Sequence, residues 1–456
     1  MAYEIVHTSK RLTDRGPDCI RLSVRRGHPS VHLLILDPYL LRNNRHAEHS
    51  GVCFLSYVRR LQTVYAEAGK ILHIVYGEPT EVMDLALGLA RFDEVVVHQD
   101  FTPYAVVRDR KLREVAQAHG VKWTSLIDHT LTDLADFQRF AQKNEPYKVY
   151  TPFFRKWTAY LQMFYRPSSP LSLKDLQTVS LMDFEGGADV LNSFRLPFEL
   201  GTFTAPDDPN ERLRDFLEDH LPFYAERRDH YAYDGTSSLS AAINTGAISI
   251  RHVYEKLLEH EQSAAWLRQL AWRDFYIYQS VYDGDFFKYE KKYDLSSLDD
   301  RHFESWRKGE TGIPIIDAAM TELNETGHMP NRLRMVTAMF LTKNLLCPFT
   351  LGEQYFRYKL SDYDNTLNRG GWLWCASLGF DAAPYFRIMN PVTQSATHDP
   401  SGQYIRRWLP QLAALSNKEI HLPMKQAIVD VKASRAAAIE VYKGILRKDD
   451  SFTGEA

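Results

Sequence analysis

The sequence predicts a two-part fold, with an α/β N-terminal domain and an all-α C-terminal domain. Three observations support this. Short apolar runs alternate with amphipathic stretches up to about residue 130. The strand signal is lost from about residue 206 onward, and the apolar spacing there is helical. The length of 456 residues suits two to three domains of roughly 150 residues each.

Residues 1–130 are predicted to form an open parallel sheet covered on both faces by helices. The predicted strands are Glu4–Val6, Val31–Leu36, Ile71–Tyr76, Glu94–Val97 and Val121–Leu126. The predicted helices between them are Gly51–Ala68, Thr80–Arg91 and Val106–His119. Gly120 follows the last helix as a stop signal. This domain is Rossmann-like, but it has no G-x-G-x-x-G after the first strand and so lacks the nicotinamide-binding fingerprint.

The rest of the chain divides into a connector and a helical domain. Residues 131–205 are predicted as an irregular connector because prolines recur there, at Pro146, Pro152, Pro167, Pro170 and Pro197. Residues 206–456 are predicted as helical. Pro314 is well placed to begin a helix, and the residues after it have helical apolar spacing. A final amphipathic helix and a polar terminus are expected after Ser416.

Composition excludes several classes of protein. Hydrophobic residues make up 44% and charged residues 25%, as in an ordinary globular chain. No run approaches the roughly 18 apolar residues of a membrane span, and the first residues form no apolar signal core. We therefore expect a cytoplasmic protein. The net charge of −3 excludes a uniformly basic surface but still allows a local basic patch for nucleic acid.

No metal site and no disulfide framework are expected. Cys19, Cys53, Cys347 and Cys375 are far apart and form no C-x-x-C pair. The His46-x-x-His49 pair lies in a polar segment, where two surface histidines are the ordinary interpretation.

Three segments of the helical part carry candidate functional residues. In 234–240 (DGTSSLS), small hydroxyl residues precede helix-like sequence, so the segment can contact a phosphate or only cap a helix. In 331–335 (NRLRM), Arg334 can pair with one of the later acids. The third, 362–374 (DYDNTLNRGGWLW), combines two carboxylates, an amide, paired glycines and two tryptophans. It predicts a pocket for a flat ligand, with a tight turn between buried helices as the alternative.

These segments resemble the DNA photolyases and cryptochromes, most closely the class I-type bacterial cyclobutane pyrimidine dimer photolyases. The similar stretches are 151–157, 234–240, 270–276, 312–320, 331–335, 362–374, 381–391 and 405–412. The resemblance implies a light-dependent DNA repair enzyme, a carbon–carbon lyase. Its helical domain would bind FAD, and reduced, excited FAD would pass an electron to a pyrimidine dimer, which splits. UV-damaged DNA is the implied partner, and we expect a monomer without membrane contact.

The resemblance also implies which residues bind FAD. Tyr224 and the loop residues Thr236, Ser237, Ser238, Leu239 and Ser240 match those that hold the ribityl and phosphate groups. Arg273 belongs to the same site, Arg334 and Asp362 match an ion pair over the isoalloxazine, and Asp364 matches an acid at the flavin edge. Asn368 matches the residue that faces flavin N5. An uncharged amide there favours the anionic, reduced flavin.

The implied lesion site uses a second set of residues. Photolyases flip the damaged bases out of the duplex, and Trp272 and Trp374 match the two indoles that clasp the dimer. Asn331, Met335 and Gln269 match lesion-contacting positions, and Trp372 belongs to the same catalytic region. Arg228 and Arg332 are the candidates for contacts to DNA phosphates.

Several residues depart from the family pattern and leave alternatives open. Gln269 stands where cyclobutane-dimer enzymes carry glutamate, and six-four photolyases often have glutamine there. Those enzymes also use paired histidines, where this chain has Asn331-Arg332-Leu333. His328 and Ser238 replace an aromatic residue and an arginine. We expect cyclobutane dimers as the substrate. A six-four photolyase and a cryptochrome-type photoreceptor without repair are the alternatives.

Two further features of the family are changed. Its photoreduction route uses three tryptophans, of which only the first is present, as Trp372, while Phe349 and Ser296 replace the others. We expect photoreduction to be slow or to use another route, with Trp306, Tyr355 and Tyr358 as candidates.

For the antenna, Val107 and Arg108 stand where folate-type members have an Asn-Glu pair after the tyrosine that matches Tyr104. Folate is therefore disfavoured. A deazaflavin, a second flavin and no antenna at all stay open.

Overall fold

The computed structural model describes residues 3–7, 28–127, 129–167 and 172–447. The strands are β1 (Tyr3–His7), β2 (Ser30–Leu36), β3 (His73–Tyr76), β4 (Phe92–His98) and β5 (Lys122–Leu126). The helices up to residue 245 are α1 (Pro38–Leu41), α2 (His49–Glu67), α3 (Pro79–Gly88), α4 (Pro103–Ala118), α5 (Leu134–Ala141), α6 (Tyr150–Phe164), α7 (Gly187–Ser193), α8 (Pro209–Asp215), α9 (Tyr224–Arg227) and α10 (Ser240–Thr245). The later helices are α11 (Ile250–Leu257), α12 (Ala264–Tyr282), α13 (Phe303–Lys308), α14 (Pro314–Thr326), α15 (Asn331–Met339), α16 (Phe349–Lys359), α17 (Asn365–Cys375), α18 (Pro391–His398), α19 (Gln403–Trp408) and α20 (Val431–Arg447).

The chain forms two compact units that do not follow chain order. The first contains the described residues up to 144 together with 154–219 and 237–277. The second contains 145–153, 220–236 and the described residues from 278 onward. The sequence placed a domain boundary near residue 206. By contrast, the segment 237–277, which is helical, belongs to the compact unit that contains the sheet.

The sheet of the first unit is fully parallel, with strand order β3-β2-β1-β4-β5. This confirms the predicted open parallel sheet. All seven residues of β2 are buried, which explains why its sequence is a continuous apolar run without alternation. The strand order reverses beside β1, the arrangement of doubly wound α/β folds. Ligands of such folds bind at the carboxyl ends of the strands.

Two helices of this unit show local start and stop signals, although the predicted bounds Thr80–Arg91 and Val106–His119 differ from the observed ones by up to three residues. α3 starts at Pro79, and the Glu78 carboxylate accepts hydrogen bonds from the backbone N–H groups of Thr80 and Glu81, at 2.9 and 3.0 Å. α4 ends just before Gly120, whose φ of +69° is the left-handed conformation expected of a helix stop. The predicted stop at Gly120 is confirmed.

The segment 131–205 is more regular than the sequence predicted. It contains α5, α6 and α7. Pro152 lies in the first turn of α6, where a proline removes no intrahelical hydrogen bond. Counting prolines without their helix position therefore underestimated the helical content.

The core of the second unit is built from its long helices. α14 begins at Pro314, as predicted, and ends at Thr326, just before Gly327, whose φ is +73°. Trp306, Met320, Leu333 and Leu373 are fully buried in one hydrophobic cluster. Each such side chain contributes roughly 1.5–3 kcal/mol on burial, so this cluster holds α13, α14, α15 and α17 together.

Cys53, Cys347 and Cys375 form no disulfide within the described part of the chain, and Cys19 lies outside that part. The predicted polar terminus beyond Arg447 is also outside the described residues. Within the described ranges, no helix is long and apolar enough to span a bilayer. No cluster of three or more His, Cys, Asp and Glu side chains in those ranges could hold a metal ion. The His46 ring instead stacks on Phe198.

Candidate active site

The segment 362–374 forms the start and body of α17, and Asp364 caps that helix. Asp364 Oδ1 accepts from the backbone N–H groups of Thr366 and Leu367, at 2.9 and 3.0 Å. The carboxylate satisfies two of the free donors of the first turn and also interacts favourably with the helix dipole. The motif is thus a helix start, and the alternative of a tight turn does not apply.

One face of α17 carries most of the candidate residues. At 3.6 residues per turn, Asp364, Asn368, Gly371 and Trp374 fall on neighbouring positions of that face. A Cβ atom added to Gly371 would have no neighbour within 4 Å, so the face is open at its centre. Asn368 and Trp374 are half-buried on either side of this gap.

The orientation of Asn368 is determined by the neighbouring helix. Its Nδ2 donates to the backbone carbonyl of Glu353 in α16, at 3.0 Å. This bond shows that the amide nitrogen of Asn368 faces α16. The Oδ1 oxygen is therefore the atom left to accept a hydrogen bond from a ligand.

Asp362 and Arg334 form the predicted ion pair. Arg334 Nη2 lies 3.0 Å from Asp362 Oδ2, and Arg334 Nε donates to the carbonyl of Met329 at 2.8 Å. Asp362 Oδ1 is buried and has no hydrogen-bond partner among the described residues. A buried carboxylate oxygen without a donor is costly. Asp362 Oδ1 is therefore suited to accept a hydrogen bond from a ligand N–H group.

The first turns of α15 carry Asn331, Arg332 and Met335. Asn331 Nδ2 lies 3.8 Å from Met335 Sδ, so these side chains share one helix face. Arg332 Nη2 binds Asp229 Oδ2 at 2.5 Å, and Arg228 Nε lies 3.7 Å from Asp229 Oδ1. Partial burial raises the pKa of Asp229, but the hydrogen bond and charge of Arg332 outweigh this and lower it. The two arginines predicted to contact phosphates therefore share one ionised carboxylate.

Tyr224 and Thr236 also belong to the second unit. The Tyr224 side chain is buried, which raises its pKa, and the Arg228 guanidinium lies 5.5 Å from its ring centre. Thr236 is exposed. Both residues lie in the same unit as Arg334, Asp362 and Asn368.

The remaining predicted residues belong to the first unit. In the loop before α10, Ser238 has a φ of +48°, Leu239 is buried, Ser240 begins the helix, and Arg212 donates to the Ser237 carbonyl at 3.1 Å. On α12, the Gln269 side chain donates to the Ala265 carbonyl at 3.3 Å, and the half-buried Trp272 packs against Phe275 and Tyr276.

Arg273 is almost fully buried and donates to the carbonyl of His129. Its neighbour Asp274 is fully buried and accepts from Trp157 Nε1 and the Leu131 N–H, both at 3.0 Å. Burial raises the pKa of Asp274 to about 6, against the opposing charge of Arg273. Arg273 therefore has a structural role in this unit in addition to its predicted contact with the cofactor.

Comparison with known proteins shows which family this chain resembles. Residues 266–446 match a profile described as the FAD binding domain of DNA photolyase, and residues 10–172 match one described as DNA photolyase. A deoxyribodipyrimidine photo-lyase of Salmonella typhimurium is 38% identical, over 66% of this chain and 68% of that protein. The chain belongs to the DNA photolyase family. A Thermus thermophilus member is 32% identical, over 92% of this chain and 93% of its own length.

Solved photolyase structures share the fold. A bacterial class III photolyase from Agrobacterium tumefaciens gives a TM-score of 0.82 at 26% identity, over 98% of both chains. An archaeal photolyase from Sulfolobus tokodaii with two FAD molecules gives 0.80 at 26% identity, over 97% of this chain and all of that one. The predicted photolyase fold and the predicted family are confirmed.

FAD is the cofactor of the family domain that covers residues 266–446. The residues of the second unit fit it. The open face over Gly371 suits a flat ring, and the unpartnered Asp362 Oδ1 suits a ring N–H. Three residues that the sequence analysis missed support this site: Glu353, Asp229 and Arg369. Each has a partner distant in sequence: Asn368 and Arg369 for Glu353, and Arg332 for Asp229. No local pattern therefore singles them out.

Proposed function

We propose that this protein repairs UV-damaged DNA by the light-driven splitting of cyclobutane pyrimidine dimers. Curated relatives at 31–38% identity carry the name deoxyribodipyrimidine photo-lyase. The observation that carries the proposal is the α17 face, where an amide, an open glycine position and a half-buried tryptophan lie in one row. The amide suits a reduced flavin, and the indole suits a flipped base.

In this proposal, four residues of the second unit hold the isoalloxazine. Arg334 and Asp362 form a paired charge of net zero, so they orient the ring without adding charge to it. Asp362 Oδ1 would accept a ring N–H, and Asp364 would lie at the flavin edge. Asn368 would present Oδ1 toward N5, because its nitrogen already donates to the Glu353 carbonyl. Bound and reduced, FAD supplies the electron that light excites.

The remaining cofactor contacts are carried over from the family. We propose that Tyr224, Arg273 and the loop Thr236–Ser240 bind the ribityl and phosphate part of FAD. Backbone N–H groups and hydroxyls ahead of α10 are suitable phosphate donors.

The proposed lesion contacts are aromatic and polar. Trp374 supplies a stacking wall on the α17 face, and Trp272 and Gln269 keep their predicted roles toward the lesion. Asn331 and Met335, adjacent on α15, contact the dimer. Arg228 and Arg332 contact flanking phosphates. Together with Asp229 they form a cluster with a net charge of +1, so the cluster attracts phosphates less strongly than two arginines without an acid would.

A defined-lesion assay tests the proposal. Oligonucleotides that carry one cyclobutane dimer or one six-four product are incubated with the reduced protein under blue light or in the dark. We expect restored thymines only from the cyclobutane substrate and only in the light. Repair of the six-four substrate alone would assign the other photolyase type. Bound flavin without repair of either lesion would favour a photoreceptor.

Replacement of Trp374 with alanine is expected to weaken binding to dimer-containing DNA by roughly 5- to 150-fold, because one base–aromatic stack is worth ~1–3 kcal/mol. Affinity for undamaged DNA and the flavin content should stay at wild-type values. Trp374→Phe is the matched control, since it keeps an aromatic face and should bind nearly as well as the wild type. Fluorescence anisotropy with labelled oligonucleotides measures both affinities. Equal lesion affinity in Trp374→Ala and the wild type would contradict the stacking role.

We propose that the protein has no folate antenna. Val107 is exposed, and Arg108 is buried and bonded to Asp109 Oδ1 at 2.6 and 2.8 Å, so neither position offers the polar pair of folate-type members. Chromatography of chromophores released on denaturation should give FAD, alone or with a deazaflavin or a second flavin, and no folate. Release of stoichiometric folate would contradict this.

We also propose that the protein acts in the cytoplasm as a monomer on UV-damaged DNA.

A further inference from the structure

The usual tryptophan route to the flavin is interrupted in this chain. Phe349 is buried, and the guanidinium of Arg369 lies 5.0 Å from its ring centre, so a positive charge on that ring is disfavoured. Ser296 is exposed, and its hydroxyl donates to Asp294 at 2.6 Å. Neither side chain is readily oxidised by a tryptophan radical. The electron that Trp372 gives up must therefore be replaced from elsewhere.

Trp372 contacts another indole. Its ring centre lies 6.1 Å from that of Trp306, with the planes at 73°. This is an edge-to-face pair within the 4.5–7 Å range of contacting aromatic rings. The Trp372 ring can pack against α16 because that helix has Gly352 at this point. A Cβ atom on Gly352 would lie only 2.1 Å from the Trp372 ring. Electron transfer falls steeply with the gap between donor and acceptor, so Trp306 is well placed to reduce Trp372.

Trp306 cannot itself be the end of the route. It is fully buried, and its indole N–H donates to the Thr337 carbonyl at 3.1 Å, a weak base that does not remove the proton. Its ring neighbours are Phe303, Phe356, Trp372 and Tyr355. The phenylalanines are not readily oxidised. Tyr355 is thus the remaining oxidisable ring on Trp306 within the described part of the chain.

Tyr355 has the properties of a terminal donor. Its ring centre lies 6.0 Å from that of Trp306, at 67°. The side chain is half-buried, and its hydroxyl contacts Asn324 Oδ1 and the Arg307 carbonyl, the latter at 3.2 Å. A tyrosine in this position can lose its phenolic proton to nearby water on oxidation, which retains the radical there.

We propose that this protein replaces the missing tryptophan route with the series Trp372–Trp306–Tyr355. This inference rests on the proposed flavin site. When light drives one electron from Trp372 to oxidised flavin, Trp306 gives one electron to Trp372, and Tyr355 gives one to Trp306. Tyr355 releases its phenolic proton to water and becomes a neutral radical. A thiol in solution then returns one electron and one proton, and two oxidised thiols form a disulfide.

The test uses the whole flavin-loaded protein in its oxidised state, under anaerobic blue light. Without thiol, electron paramagnetic resonance should detect a tyrosyl radical, and ring-deuterated tyrosine should narrow its signal. With dithiothreitol, flavin reduction is followed by absorbance. Tyr355→Phe should remove the tyrosyl signal and slow flavin reduction at least tenfold. Trp306→Phe should do the same. Tyr358→Phe is the matched control on the same helix and should retain both.

A tyrosyl signal and a wild-type reduction rate in Tyr355→Phe would overturn the inference, even if Trp306→Phe folds poorly. Loss of the signal in Tyr358→Phe instead would assign the other tyrosine and overturn it as well. Dimer repair by chemically reduced protein is measured in parallel, because repair starts from reduced flavin. Radical formation without repair would contradict the proposed function and leave the electron route intact.

Discussion

Asn368→Asp is expected to lower the reduction potential of the bound flavin and to abolish most of the dimer repair. The amide is neutral, whereas a carboxylate ~4 Å from an anionic reduced flavin costs up to about 4 kcal/mol at an effective dielectric of 20. For a two-electron couple this corresponds to roughly 90 mV. Aspartate also loses the Nδ2 donor that binds the Glu353 carbonyl. Two acceptors would then face each other, and the side chain would turn away from α16.

Spectroelectrochemical titration of the flavin measures the effect, and Asn365→Asp is the matched control. Asn365 lies on the same helix, and its Oδ1 accepts from the Tyr363 hydroxyl at 2.7 Å, a bond that aspartate can keep. The control adds the same charge to the first turn of α17, where the helix dipole favours it. We expect a much smaller shift there. Equal potentials in the two variants would show that Asn368 does not face the flavin.

The strands and helices of this protein could be predicted because they depend on local sequence. β2 is apolar at nearly every position since both faces of a central parallel strand are buried. Pro314 and Gly120 specify a helix start and a helix stop through their own φ values. The Arg334–Asp362 pair could also be anticipated, because both residues belong to motifs that resemble one family.

Other contacts could not be predicted because they join positions far apart in sequence. Asp229 binds both arginines assigned to DNA phosphates, and neither its charge nor its spacing distinguishes it from other surface acids. The backbone carbonyl of Glu353 orients Asn368, and a backbone atom has no sequence signature. The prolines of 131–205 were misleading for a different reason, since a proline in a first helical turn promotes the helix that it would break further along.

The same limitation applies to Arg369, which connects the fold to the active site. Its side chain is only 4% exposed and bonds Glu353 at 2.8 Å, and it also contacts Glu290 and the Phe286 carbonyl. The side chains of Glu353 and Glu290 are 20% and 23% exposed, respectively. Arg369 thereby attaches α17 to α16 beside Asn368. In the sequence it appears only as a charge next to a glycine pair.

Arg369→Met is expected to destabilise the protein by about 3–5 kcal/mol, because the change leaves two largely buried carboxylates without their cation. Urea denaturation followed by tryptophan fluorescence measures the loss. Arg301→Met removes an exposed arginine from Asp299 and should leave the denaturation midpoint nearly unchanged. A second replacement, Glu353→Gln, should restore part of the stability lost in Arg369→Met, since it removes one of the two unpaired charges.

The destabilisation should also depend on pH in a direction that identifies its cause. Burial raises the pKa of Glu353, and the charge and hydrogen bonds of Arg369 oppose this. Without Arg369 that pKa rises further above its unfolded value, so Glu353 contributes stability at low pH and loses it as the pH rises. Arg369→Met should therefore lie closer to the wild type at pH 5 than at pH 8. If the stability difference between Arg369→Met and the wild type were the same at pH 5 and pH 8, the destabilisation would come from lost packing between α16 and α17 and not from unpaired charge.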